Sequence, residues 1–205
     1  MDLPMLSVDR IAVRLLAALL VATLHGATLA WAAARWGDAG PRRDGRGRWS
    51  PWVHLDLFGL VHAVFFRIVW PAPLAIDPDA LRGGRRGAVA VVLSGGAALL
   101  LLSIVALAIR PAVTAWAQDA AAIHLSTWLL AVAEIGVLSA VAHLLPLPPF
   151  AAALLTPWAP RHPQDRRAAG PSTLGIIAIF AASLLGATTW WSGPLLAAWF
   201  RLLGF

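Results

Sequence analysis

The chain has 205 residues, 60% of them hydrophobic and only 13% charged, with a formal charge of +6. Soluble domains carry about 25% charged residues, so this composition excludes water on all sides and suits lipid, and the length suits one membrane domain with no second, soluble one. The absence of cysteine excludes disulfides, thiolate catalysis and thiolate-bound metals, and the short arginine clusters form no long basic face for nucleic acid.

A helix that crosses the hydrocarbon needs about 20 mostly apolar residues. Residues 11–36 qualify, interrupted by Arg14, His25, Gly26 and Arg35; the run is too long for a cleaved signal peptide. Residues 37–51, rich in Gly, Pro and Arg, read as a loop. Residues 55–70 form a shorter apolar run that ends at Pro71 and is predicted as a second span, followed by a turn-rich connection over 71–86. Residues 88–109 make a third span stopped by Arg110 and Pro111, and residues 125–145 a fourth that runs into Pro146, Pro148 and Pro149. After a polar loop with Arg161, Arg166 and Arg167, residues 172–191 form a fifth span. Residues 194–205, with Arg201, are expected to lie in the interface or cross partway. The expected fold is an all-α integral membrane protein, one transmembrane domain over 1–205 with about five spans. With five crossings the two arginine-bearing loops 37–51 and 71–86 fall on opposite sides, and the arginines divide too evenly to orient the chain.

Tryptophans cluster near the ends of these runs, at Trp36, Trp49, Trp52, Trp70, Trp158, Trp190 and Trp191, where amphipathic rings settle at headgroup level. Polar groups within the runs are costly in lipid and call for a reason. They are His25, Arg67 and Glu134, the chain's one glutamate. An Arg67–Glu134 ion pair would offset the desolvation of both charges; the other reading has Arg67 reaching the headgroups and Glu134 protonated or facing a partner. His62 and His124, near predicted span ends, read as interface residues before tetrapyrrole ligands.

Five stretches taken in order resemble the bacterial site-2 protease family of intramembrane zinc metalloproteases. Where that family has HExxH, this chain has His25-Gly26-Ala27-Thr28-Leu29, followed by Ala30-Trp31 and, further on, Gly37-Asp38. The family's NPxxHxDPxG element is similar to Ser50-Pro51-Trp52-Val53-His54-Leu55-Asp56-Leu57-Phe58-Gly59. Its Pro- and Val-rich strand is similar to Pro71–Pro78, and its AGPxAN signature to Ser94-Gly95-Gly96-Ala97-Ala98-Leu99. Its NLLPxPPLDG run is similar to His143-Leu144-Leu145-Pro146-Leu147-Pro148-Pro149-Phe150-Ala151-Ala152, the most specific of the five. The resemblance covers about residues 15–155 and implies a site-2-protease-like core with short re-entrant or strand-like loops.

The same alignment implies a lost zinc site. A catalytic zinc takes about three protein ligands and an open water position. His25 stands at the first ligand position, but Leu29 and Ala151 stand at the other two, and Gly26 replaces the glutamate that would activate water. The chain is therefore expected to be a pseudoprotease with no catalytic and no metal residues. Its vestigial positions are His25, Gly26, Leu29 and Ala151, and His25, His54, Asp56 and His143 form a candidate polar cluster. The expected role is a non-catalytic structural subunit that packs against other transmembrane proteins in a hetero-oligomeric membrane complex of respiratory or photosynthetic type, in a bacterial cytoplasmic (inner) membrane. No cofactor is expected, with room left for bound lipid or pigment. One alternative is a pseudoprotease that binds and regulates or chaperones single-span membrane proteins. The other is a metal-dependent intramembrane protease with substitute ligands such as His25, His54 and His143.

Overall fold

The computed structural model describes residues 7–116, 119–157 and 170–205; Trp158, Arg161, Arg166 and Arg167 lie outside them. Helix α1, Val8–Trp36, starts where the Ser7 hydroxyl accepts from Arg10 N at 3.3 Å, with Asp9 in its first turn, the side-chain chemistry that satisfies free N–H groups at a helix start. It stops at Gly37, whose φ of 123° suits glycine, and whose N–H turns back to the Ala33 and Ala34 carbonyls. A four-residue turn of helix, α2 (Gly40–Arg43), precedes a 3-10 turn at Pro51–Val53. Helix α3 is Leu57–Phe66, α4 is Arg85–Trp116 and α5 is Ala120–Ala142. After a second 3-10 turn at Ala151–Leu155, α6 (Gly170–Leu184) and α7 (Ala187–Leu202) complete the chain.

Helices α1, α4 and α5 are long and apolar enough to cross a membrane; α6 and α7, bent by 72° at their junction, make a fourth crossing if the pair counts as one. Small residues bring these helices close. A Cβ on Gly95 of α4 would stand 2.8 Å from Leu29 Cδ2 of α1, and one on Gly136 of α5 would stand 3.2 Å from the Leu99 carbonyl of α4. The seam between the three is filled by Ala17, Val21, Leu99, Leu107, Val132 and Ile135.

The run 55–70, predicted as a span, is not one. Its helix has ten residues, about 15 Å at 1.5 Å per residue. Asp56 opens it by accepting from Gly59 N at 2.7 Å, and Arg67 closes it in the left-handed conformation, φ 61°. The chain then returns extended through Pro71 and Pro73, which lack the N–H a helix interior needs. Its far end reaches α1 again: Arg82 N donates to the Trp36 carbonyl at 2.7 Å and Asp77 N to Asp38 Oδ2 at 2.9 Å. Residues 54–84 are thus a hairpin that enters and leaves the bundle at one end.

Extended backbone at membrane depth is tolerated only where protein satisfies it, and here side chains do so. Val69 N donates to Ser139 Oγ at 2.9 Å and Val69 O accepts from His143 Nε2 at 3.2 Å, so two residues one helical turn apart on α5 hold both polar groups of one residue. Ile68 O accepts from His62 Nδ1 at 3.0 Å, and Ala72 N donates to the His54 carbonyl at 2.8 Å. Ile68, Val69 and Trp70 are consequently buried.

Three further expectations need correction. Helix α4 continues past Arg110 and Pro111 to Trp116; Arg110 Nε donates to Ser126 Oγ of α5 at 3.3 Å, which keeps the two helices together there. Trp70 is no belt residue: it is fully buried and its Nε1 donates to Asp56 Oδ1 at 3.0 Å. The predicted fifth span, 172–191, is broken at Gly186, whose φ of 90° ends α6 and starts α7, and residues 194–205 belong mostly to α7 rather than to a separate segment.

Candidate functional site

Helix α1 carries His25 to the centre of the bundle, where its ring lies 3.9 Å from that of His143, centroid to centroid, at the end of α5. His54 enters from the hairpin against the next residue of α1. A Cβ on Gly26 would overlap His54 Nδ1 and stand 3.1 Å from its Cγ and Cε1. All three imidazoles are buried. Asp56, grouped with them from the sequence, is elsewhere in its bonding: it caps α3 and holds the Trp70 indole.

The three rings differ in how their nitrogens are used. His143 accepts from Ala151 N at Nδ1, 3.0 Å, and donates to Val69 O from Nε2, so both sides of the ring are spent on backbone. His54 donates from Nε2 to the Arg48 carbonyl at 3.0 Å and leaves Nδ1 without a partner against α1. Burial holds the His54 imidazole below its usual pKa, with the Arg46 guanidinium adding to the effect and the Arg48 carbonyl opposing it. Neither nitrogen of His25 has a hydrogen-bond partner. A buried polar group left unpaired costs about 1–3 kcal/mol, so His25 is the one imidazole of the three that the fold does not itself employ.

The other positions of the implied zinc site are filled by apolar groups. Leu29 packs against Gly95, where the close approach of Cδ2 leaves no room for even a methyl group, and Ala151 stands beside His143 in the 3-10 turn. Among the described residues no three His, Asp or Glu side chains converge so as to hold a metal ion. The residues present therefore do not fit a zinc centre, neither the resembled one nor a substitute at His25, His54 and His143. Beside this cluster lies an apolar cleft of ≈ 90 Å³ between Leu29, Pro71–Leu74, Pro148–Phe150 and Leu154, with His143 in its lining. Small-molecule sites are usually about 300–1,000 Å³; neither His25 nor His54 lines this cleft.

The remaining polar residues singled out from the sequence lie apart. Arg67 Nη1 is 3.3 Å from Glu134 Oε2, both side chains partly exposed, and Arg14 donates to the Val64 carbonyl at the same level. His62 uses both nitrogens, on Ile68 O and on Ser183 Oγ of α6 at 3.0 Å; His124 is exposed on α5. Sequence reasoning passed over Ser103, Ser139 and Ser183. Ser103 Oγ donates to Ala133 O and accepts from Trp199 Nε1, each at 3.0 Å, which ties α7 to the α4–α5 seam. The one signal available was the spacing of Ser139 and His143, four apart at the end of an apolar run.

No protein-family model, curated protein or solved structure matches this chain.

Proposed function

We propose that this protein is a non-catalytic membrane scaffold, a zinc-site-deficient relative of the site-2 proteases that packs against other transmembrane proteins as a subunit of a larger complex. The observation that carries the reading is the filling of the implied site. His54 occupies the space that a side chain at position 26 would need, Leu29 is wedged against Gly95, and His143 is committed to the backbone of Val69 and Ala151. A water-activating site requires open coordination positions and a base; here the side chains serve packing and backbone satisfaction instead. A pseudoprotease that still bound single-span helices would keep an open polar groove lined by the histidines, whereas the cleft that His143 lines is ≈ 90 Å³ and its lining is mostly proline and aliphatic. The lipid-facing surface left for partners is large and apolar, with Leu93, Leu101, Ile104, Val105 and Ile109 exposed along α4.

The test is purification from native membranes in mild detergent, untagged, with mass spectrometry and metal analysis on one sample. The expected result is a fixed ratio to other membrane proteins and no stoichiometric zinc. A chain that arrives alone with one zinc each overturns the reading.

A further inference from the structure

The hairpin changes how the charges count. In a five-crossing chain the loops 37–51 and 71–86 lie on opposite sides. In the structure they meet. Arg46 donates to both the Val53 and the Pro73 carbonyl, Arg82 N bonds to Trp36 O, and Asp77 N bonds to Asp38. The first loop also folds back on the last turns of α1, with Trp31 Nε1 donating to Gly47 O at 2.9 Å and the Arg42 guanidinium 3.7 Å over the Trp31 ring. Both loops therefore cap the end of the bundle where α1 finishes and α4 begins.

Helix α4 measures the bilayer. It carries no charge between Arg86 and Arg110, and those 23 intervening residues span about 34 Å, close to the roughly 30 Å hydrocarbon core. At the Arg86 end stand Arg35, Arg42, Arg43, Arg46, Arg48, Arg82, Arg85 and Arg86, which is eight arginines. Among the described residues, Arg10 and Arg110 stand at the Arg110 end; Arg201, near the end of α7, raises the count to three at most. Arg14 and Arg67 lie between, Arg14 bonded to the Val64 carbonyl and Arg67 paired with Glu134, and Arg161, Arg166 and Arg167 lie outside the described residues. Tryptophans mark both planes, with Trp49 and Trp52 exposed at the first and Trp116 at the second. Arginine and lysine in short loops near span ends concentrate on the cytoplasmic side, where they also meet the anionic leaflet.

We propose that residues 37–84 form a re-entrant element whose two arginine-bearing loops both face the cytoplasm, seated on anionic headgroups, while the start of α1 and the α4–α5 connection face the opposite side. This assignment does not depend on the loss of protease chemistry, and an active or inactive site is compatible with it.

The absence of cysteine makes the test direct. Single cysteines are introduced at the exposed positions Arg43→Cys, Ala80→Cys and Ala120→Cys, and each is probed with a membrane-impermeant maleimide in intact spheroplasts and in inverted vesicles. The expected result is labelling of the cysteine at 120 only in spheroplasts, and of those at 43 and 80 only in inverted vesicles. If 43 and 80 label from opposite sides, the re-entrant element is wrong and residues 55–70 cross. If 43 and 80 share the side exposed in spheroplasts, the hairpin stands and the orientation is overturned. Labelling in detergent confirms that each cysteine is reactive, so silence in a sealed preparation reports sidedness.

Discussion

At the scale of single residues, Gly26 and His54 fit closely against one another. The imidazole lies where a Cβ at position 26 would be, so even Gly26→Ala forces His54 aside, and its ring is held by the Arg48 carbonyl behind it. Overpacking of this kind costs about 1–3 kcal/mol. Gly26→Ala is expected to lower the midpoint of thermal unfolding in detergent, and the same substitution in a His54→Ala background to cost less than half as much. Equal costs in the two backgrounds would show that the loss comes from α1 itself and not from the ring. From sequence, Gly26 was legible only as a missing glutamate. The ring that fills the space beside it comes from 28 residues further on, and no local pattern announces it.

Among the elements, the long helices were readable because each carries its own signal. A long, mostly apolar run is a local feature. The hairpin was not readable, because the apolar run 55–70 satisfies the composition of a span while only ten residues of it are helical. Its extended half is apolar for a different reason, burial among helices, and its polar backbone is met by side chains far along the chain. Ser139 is the clearest of these. Ser139→Ala removes the acceptor of the buried Val69 N–H, and an orphaned buried donor costs about 1–3 kcal/mol. Hydrogen exchange should show the loss confined first to residues 67–76, with α1, α4 and α5 keeping their protection. If exchange accelerates evenly across all helices, the hairpin is not held as a separate unit by α5.

For the molecule as a whole, the question is what closes the centre of the bundle. A structural metal contributes folding free energy outright, and chelation then unfolds or loosens the protein. Here the centre of the bundle is closed by side-chain packing. The α1–α4–α5 seam is filled with aliphatic side chains, and a second cluster of Ile68, Trp70, Val137, Leu138 and Phe150 fixes the hairpin against α5 and α7. The His143 nitrogens that a ligand would need are already bonded to backbone. Coordination through His143 would release the carbonyl of Val69 or the N–H of Ala151 inside the bundle, and each loss works against the gain from the metal. The unpaired His25 could supply one ligand, which is too few for a tight site. Dialysis against a strong chelator is therefore expected to leave the thermal midpoint in detergent unchanged, and added zinc is expected not to raise it. A midpoint that falls on chelation and returns with one equivalent of zinc would mean that the bundle centre rearranges to bind metal. The first residues to substitute would then be His25 and His54, each of which keeps a buried nitrogen without a hydrogen-bond partner.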